Sequence, residues 1–492
     1  MNPWTRRQFL GASAFAAAAG ALPNADPSSA AKFPAGFLWG TAASAYQTEG
    51  AAEEGGKGLS VWDEFVRRPG AIADGQTGAT ACGFYHRFPQ DIAAMREMHL
   101  RAFRFSIAWT RILPDGAGRV NQTGLDFYRR VADTLLEAGI EPIATLFHWD
   151  TPSALERRGG WQNRDMAHWF ADYAAVAVRA LSDRVRWWLT INEPRSFIGG
   201  GYVAGVQAPG LRLGRKQALA AAHVVLLAHG RAVQALRAGA KQPLRAGIPN
   251  DVSPALPVAA ADAEAARAAT FATPLEHFTA GRWWDENAWW LEPVYAGAYP
   301  AAALHALGAD APRIAAGDMA VIHQPLDFCA ANLYGGRRVE RGASGAAVAQ
   351  PPPAGAPLTA FGWPVTPEVA YWAPRWLHQR YRLPIFVTEN GCATRDWVTL
   401  GCTVPDPQRT DFIARHLRFL AQAMAEGTPV LGYLHWSLLD NFEWQAGYTQ
   451  RFGLLYVDFP TQRRIWKDSA RWYRAMIASR GGMLGAMNGC DL

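Results

Sequence analysis

The sequence predicts an α/β fold, a single (β/α)8 TIM barrel with long βα loops, on three observations. Eight short β-branched or aromatic runs recur along the chain, and Ala-, Leu- and Arg-rich stretches with helical spacing lie between them. No Gly-rich turn follows the first run, as a doubly wound sheet would want. The runs are residues 37–41, 101–107, 142–147, 187–191, 245–249, 328–332, 384–388 and 430–436, and the clearest helical stretches are 124–138, 164–181, 216–238 and 408–426. A bare barrel needs about 250 residues. The surplus falls after strand 1 (49–83), between strands 5 and 6 (252–324) and in a Pro- and Gly-rich stretch (342–357). No linker or internal repeat breaks the chain, so residues 32–492 read as one domain.

Residues 1–31 are set apart from the fold. Thr5-Arg6-Arg7-Gln8-Phe9-Leu10 runs into an Ala-rich apolar stretch ending at Leu22, too short to span a bilayer. This resembles a twin-arginine signal, removed after export, with Ser29-Ala30-Ala31 suiting the small-residue cleavage rule. The expectation is a folded protein handed to the twin-arginine export machinery and working in the periplasm or outside the cell, with no stable membrane insertion.

Composition narrows the function classes. Half of the 492 residues are hydrophobic and 18% are charged, which excludes a disordered chain and a polytopic membrane protein. The net charge of +6 comes from arginines scattered along the chain, since only five of the 48 basic residues are lysines, and no basic run points to nucleic acid. The 21 Trp suit a core plus a cleft that takes flat sugar faces. Five Cys, with no C-x-x-C, make no disulfide framework; Cys392 and Cys402 are open to pairing or to remaining free. H-E-x-x-H, G-x-x-x-x-G-K-[ST] and G-x-S-x-G are all missing, and no metal or other cofactor is implied. Gly199-Gly200-Gly201 with Ala204 matches G-x-G-x-x-A but does not open a helix after a first strand, so it carries no weight.

A barrel places its reacting groups at the C-terminal ends of its strands. Strand 1 leads into Tyr46-Gln47-Thr48-Glu49, strand 3 into His148-Trp149-Asp150, strand 4 into Asn192-Glu193-Pro194 and strand 6 into Asn332-Leu333-Tyr334. Strand 7 leads into Glu389-Asn390-Gly391, and strand 8 through Trp436 to Asp440-Asn441-Phe442-Glu443-Trp444. One Glu at a strand end is ordinarily a solvated loop residue. Two, Glu193 and Glu389, each directly after a hydrophobic run and each beside an Asn, form the carboxylate pair that glycoside hydrolysis requires. The amide, imidazole, carboxylate and indole groups around them suit a ring of hydroxyls.

On these residues the sequence resembles family 1 glycoside hydrolases, the β-glucosidase family. The resemblance runs from Phe37-Leu38-Trp39-Gly40 through Phe103-Arg104-Phe105-Ser106 and Thr190–Pro194 to Thr388-Glu389-Asn390-Gly391 and Asn441-Phe442-Glu443-Trp444, nearly the whole chain after the leader. It implies a retaining, exo-acting β-glycosidase with Glu193 as general acid/base and Glu389 as nucleophile. Arg104 and Tyr334 would hold the nucleophile ionised. Gln47, His148, Trp149, Asn192, Glu443 and Trp444 would bind the glycone, with Trp436 as the stacking platform. The substrate is then a small-molecule β-glycoside or oligosaccharide. Glu443 would repel a 6-phosphate, and Glu193 stands where the thioglycosidase branch has Gln, so an unphosphorylated β-O-glycoside is expected. The chain departs from the family pattern at Leu333, His435 and Trp466, and in the aromatic segment 283–290. Glucose, galactose and fucose all remain open as glycone, since one polar ring accepts epimers at O4. Two other readings keep the scaffold: a non-catalytic sugar-binding protein, and a transglycosylase using the same site. No oligomeric state follows from the sequence.

Overall fold

The computed structural model of the chain describes residues 32–484. The expected export signal and Cys490 lie outside the described residues. Nine parallel strands form the barrel: β1 (Leu38–Ala42), β2 (Ala102–Ser106), β3 (Glu141–Phe147), β4 (Trp187–Ile191), β5 (Arg245–Gly247), β6 (Pro249–Asp251), β7 (Cys329–Asn332), β8 (Ile385–Asn390) and β9 (Val430–Trp436). Their order is β5-β4-β3-β2-β1-β9-β8-β7-β6. β5 pairs with β4 and β6 pairs with β7, so the two short pieces together make the fifth stave of an eightfold ring. The sequence predicts that stave as one strand, 245–249. Pro249 explains the break, because it has no N–H to give to a neighbouring strand. The second piece then runs two residues further than expected, to Asp251.

Helices α1 (Phe84–Glu97), α2 (Gln122–Glu137), α3 (Met166–Leu181), α4 (Arg215–Gly239), α5 (Asn287–Tyr295), α6 (Val369–Tyr381), α7 (Pro407–Ala425) and α8 (Asp468–Ala478) account for the long crossovers. Their spacing shows why they dock. In α2, Leu125, Tyr128, Val131 and Leu135 recur every three or four residues and all are buried. In α3, Met166, Phe170, Tyr173, Ala177 and Leu181 do the same, and the Tyr173 hydroxyl reaches the carbonyls of Ile107 and Leu146 at 3.0 and 2.9 Å. α7 starts with Pro407 in its first turn, where a missing N–H costs nothing. α4 is long and apolar enough to cross a membrane, and most of it is buried inside the protein.

The inside of the barrel is graded along its axis. At the N-terminal ends of the strands Trp187, Phe328 and Phe386 meet with ring centroids 5.3 to 5.8 Å apart, a dry plug of aromatic rings. Burial of each contributes about 2–3 kcal/mol. At the C-terminal ends the buried side chains turn polar: Arg104, Thr145, Asn192, Asn332, Thr388 and Glu389. The surplus length lies on this upper face. The loop after β1 carries a helix, Val61–Phe65, closed by a reciprocal Ser60–Asp63 capping box. The long crossover from β6 to β7 carries short helices from Ala263–Thr270 to Asp318–Ile322. A small sheet of Ala255–Pro257, Arg337–Arg341 and Ala347–Ala349 projects beyond the barrel.

Candidate active site

A cavity of about 720 Å³ opens at the C-terminal ends of the strands, and Glu193 and Glu389 both line it. Glu193 lies two residues past the end of β4 and precedes Pro194. A residue before proline is steered away from helical backbone angles. Glu193 takes the left-handed values φ 44° and ψ 68°, and its N–H is held by the Pro249 carbonyl at 2.9 Å. Trp149 (φ 77°) and Trp444 (φ 49°), both lining the same cavity, are also left-handed. Each such conformation costs of order 1–3 kcal/mol and persists only where the surroundings enforce it.

The two carboxyl groups have different surroundings. Glu389, inside β8, receives a hydrogen bond from Arg104 Nη1 at Oε1 and one from the Tyr334 hydroxyl at Oε2 (2.8 Å). Arg104 is fully buried and is fixed in turn by Asn192 Oδ1 (2.5 Å) and Thr145 Oγ1 (3.0 Å). Burial raises the Glu389 pKa, while the Arg104 charge and these hydrogen bonds oppose the rise. Glu193 Oε1 accepts from Asn332 Nδ2 at 2.7 Å. Burial and, second, the nearby Glu389 charge push Glu193 up to about 7. Two carboxyls in one dry pocket cannot both ionise cheaply, and the one beside the guanidinium keeps the charge. The proton that the pair retains toward neutral pH therefore belongs to Glu193, which is about half protonated at pH 7.

The expected glycone contacts gather beside this pair. Asn192 Oδ1 accepts from Arg104 and Asn332, which turns its amide nitrogen toward His148 Nε2, 3.1 Å away. Nε2 must then accept, leaving the proton on Nδ1, which has no partner among the described residues. Burial keeps His148 neutral, its pKa well below the usual imidazole range. The His148 ring lies between Trp436 (5.7 Å) and Trp444 (5.9 Å), and Trp149 stacks on Trp444 at 4.6 Å. The Trp149 indole N–H is used on the Asn192 carbonyl at 2.9 Å, so this ring presents a face and an edge but no free donor. Gln47 is fully covered and does not line the cavity; its amide donates to Glu443 Oε2 (3.3 Å) and Asn441 Oδ1 (3.1 Å), holding Glu443 from behind. Glu443 is pushed up to about 8 by burial first and then by Glu389. Gly391 lets β8 approach this wall, because a Cβ there would meet the Trp436 carbonyl oxygen at 1.9 Å.

Sequence reasoning places Asn332 at a strand end and assigns it no role, yet it bridges Glu193 and Asn192 and receives the Thr388 hydroxyl at 2.8 Å. Asp251 at the end of β6 and Arg195 in the helix after Glu193 also line the cavity, as do Gln207, Trp284, Phe361 and Trp363 from connecting segments whose placement no local sequence pattern gives. Phe361 stacks on Trp363 at 4.7 Å, and Trp363 meets the Tyr334 ring edge-on at 5.5 Å.

Behind the loops after β8 and β9 lies a set of buried charges. Lys467 Nζ donates to Asp396 Oδ2 and Asp440 Oδ1, both at 2.6 Å, and Arg409 bonds Asp396 (2.8 Å) and Asp406. Arg451 closes on the other oxygen of Asp440 at 2.6 Å. Burial works against Asp396, but Lys467 and Arg409 hold it down at about 2. Among the described cysteines Cys82, Cys329 and Cys392 are buried, Cys402 is exposed, and all four are free thiols.

A family model described as glycosyl hydrolase family 1 matches residues 29–482. The chain belongs to glycosyl hydrolase family 1. It is similar to beta-glucosidase A of Thermotoga maritima, 41% identical over 92% of this chain and 98% of that protein. It also resembles a 1,4-beta-D-glucan glucohydrolase of Thermotoga neapolitana (40%; 92% and 99%) and a bifunctional beta-D-glucosidase/beta-D-fucosidase of Bifidobacterium breve (39%; 91% and 98%). Among solved structures, a Thermotoga maritima beta-glucosidase in complex with glucoimidazole superposes with a TM-score of 0.83 at 40% identity, over 92% of this chain and all of that one. The family 1 chain is thus a β-glucosidase-like glycoside hydrolase on a TIM barrel.

Proposed function

We propose that the protein hydrolyses terminal, unphosphorylated β-D-glucosides by double displacement, with Glu389 as nucleophile and Glu193 as acid/base. The observation that carries the assignment is the split environment of the pair: Arg104 and Tyr334 on Glu389, a proton on Glu193. Glu389 attacks the anomeric carbon while Glu193 gives its proton to the leaving oxygen. The glycosyl ester removes the charge of Glu389, so the Glu193 pKa falls and the same group then takes a proton from water. Electron density passes from that water to the anomeric carbon, releasing the sugar and restoring both carboxyls. His148, Asn192 and Glu443 supply hydrogen bonds to the glycone, Trp436 and Trp444 supply its walls, and Gln47 orients Glu443. The relatives named as glucosidases and as a glucosidase/fucosidase support glucose as the first glycone and fucose as a second.

Initial rates on aryl β-glucoside, β-galactoside, β-fucoside and 6-phospho-β-glucoside, for wild type and Glu389→Gly, test the assignment. Turnover of an unphosphorylated glycoside that the variant loses supports it; a wild type inert toward all four refutes it. We further propose export by the twin-arginine route to the periplasm or beyond, supported by the paired Arg6-Arg7 and the apolar run that follows. Uncut precursor confined to the cytosol after cell fractionation would exclude export.

A further inference from the structure

On the flank of the barrel α1 and α8 leave a second hollow, of about 500 Å³, between them. It shares no lining residue with the cavity that holds Glu193 and Glu389. One wall is a stripe of α8, where Arg471, Arg474, Ala475 and Ala478 recur every three or four residues, so the two alanines leave room that the two arginines border. Glu97 and His99, at the end of α1, supply the other wall. The aromatic ring is Trp466, one of the chain's departures from the family pattern and the last residue of a hairpin pairing Leu455–Asp458 with Arg463–Trp466. It packs partly on the core and also lines the hollow. The Trp466 indole N–H and the His99 ring have no partner among the described residues. The charges are balanced and loosely paired: Arg474 stands 3.7 Å from Glu97 and Arg471 3.6 Å from Asp468, while Arg471 Nη1 donates to the Trp466 carbonyl at 2.8 Å. Both ion pairs are longer than a direct hydrogen bond, so donors and carboxylate oxygens remain open to a ligand.

We propose that this hollow is a second, non-catalytic sugar-binding site, in which Trp466 stacks on a pyranose ring of a neutral oligosaccharide and Arg471, Arg474, His99 and Glu97 hold its hydroxyls. The choice of a β-linked gluco-oligosaccharide as occupant rests on the hydrolytic reading above. A pyranose presents an apolar C–H face to an indole and a rim of hydroxyls that both donate and accept, which matches guanidinium donors, a carboxylate acceptor and an imidazole. An anion would be drawn by the two guanidinium groups but would have to share them with Glu97 and Asp468. A purely apolar ligand would strip water from Arg471, Arg474 and Glu97 and replace none of it. The volume falls within the roughly 300–1,000 Å³ of small-ligand sites. A chain held here stays beside the enzyme between cleavage events, so the site acts on residence at a polymer and not on the chemistry.

Calorimetric titration of Glu389→Gly with cellopentaose, which this variant should not cleave, tests the proposal. Two classes of site are expected, the catalytic cavity and the hollow. Adding Trp466→Ala should weaken one class about tenfold, the scale of one aromatic stacking contact, and leave the other unchanged. Ala478→Gln, at an exposed position of α8, pushes a side chain into the hollow and should do the same with the ring retained. In the otherwise wild-type protein both substitutions should leave kcat/KM on an aryl β-glucoside unchanged. A single class of site in Glu389→Gly, or two classes that neither substitution alters, would overturn the inference. So would an equal loss on the aryl glucoside, which would tie Trp466 to the catalytic cavity. Inorganic phosphate binding at the hollow where cellopentaose does not would overturn the sugar assignment. The titration needs no turnover, so its failure is read apart from a wild type inert on every glycoside, which would bring down the hydrolytic reading instead.

Discussion

Replacing Glu389 by Gln separates the two causes of the Glu193 shift. In the free enzyme Glu193 stands near 7 against an ordinary 4.5, and this rise corresponds to roughly 3 kcal/mol against its anion. Burial is the larger cause and the Glu389 charge the second. At the ~5 Å separation of a retaining pair and an effective dielectric of about 20, two unit charges repel by ~3 kcal/mol, an upper bound for what the anion contributes. Because burial outweighs it, Glu389→Gln should lower the Glu193 pKa by about 1–2, leaving it above 4.5. Infrared or carbon-13 titration of the labelled variant reads this directly, since the variant need not turn over. The wild-type profile supplies the companion number: kcat/KM should fall on the alkaline side with an apparent pKa near 7, as Glu193 loses the proton it must donate. An alkaline limb below 5, or a Glu193 pKa that stays near 7 in Glu389→Gln, would refute the coupling described here.

The remaining predictions use other parts of the same geometry. Glu193→Gln should be inactive on poor leaving groups yet more stable than wild type at pH 8 by about 1–3 kcal/mol. The sign follows from linkage: a carboxyl whose folded pKa exceeds its unfolded one destabilises as pH rises from 4.5 through 7, and the amide removes that cost. Urea unfolding at pH 5 and pH 8 should show the gain growing with pH; a gain independent of pH would contradict it. Tyr334→Phe deletes one hydrogen bond to the buried Glu389 carboxylate, worth about 1.5–3 kcal/mol, so urea unfolding should show a loss of that order, and kcat/KM should fall as well; unchanged stability would show that the bond contributes nothing in the free enzyme. Lys467→Met leaves Asp396 and Asp440 buried around a missing cation and should destabilise by about 3–5 kcal/mol in urea unfolding; a loss under 1 kcal/mol would show that these charges are already solvated.

What was legible in the sequence follows from what the fold repeats. Strand ends carrying Asn192-Glu193 and Glu389-Asn390 stand out because each follows a run with no polar residue other than Thr, and the barrel then brings both to one face. The fifth stave looks like one strand in the sequence because run length alone does not show that Pro249 interrupts the ladder. Asn332 is visible at its strand end, but its bridging of Glu193 and Asn192 depends on the ends of β4 and β7 meeting, a relation that no local pattern encodes. The same holds for the four tryptophans between 283 and 290. All look alike in sequence, and only the packing of the crossover sends Trp284 outward over Gly199 while its neighbours go inward. Gln47 shows the opposite case, legible as a polar residue at a strand end and found one layer behind the cavity wall.

The buried charges around Lys467 divide the mouth of the barrel into two kinds of territory. On the β8 and β9 side, Asp396 and Asp440 fasten the segments that follow Glu389 and Trp436 to a common cation, so a change in one segment is felt by the other. On the β4 and β6 side, Arg195 of the acid's own helix pairs with Asp285 of the crossover and with Asp251 at the end of β6. Coupling is therefore unequal around the rim. A change in the segment after β8 reaches the segment after β9 through Lys467, whereas a change in the crossover reaches the acid through the single side chain of Arg195.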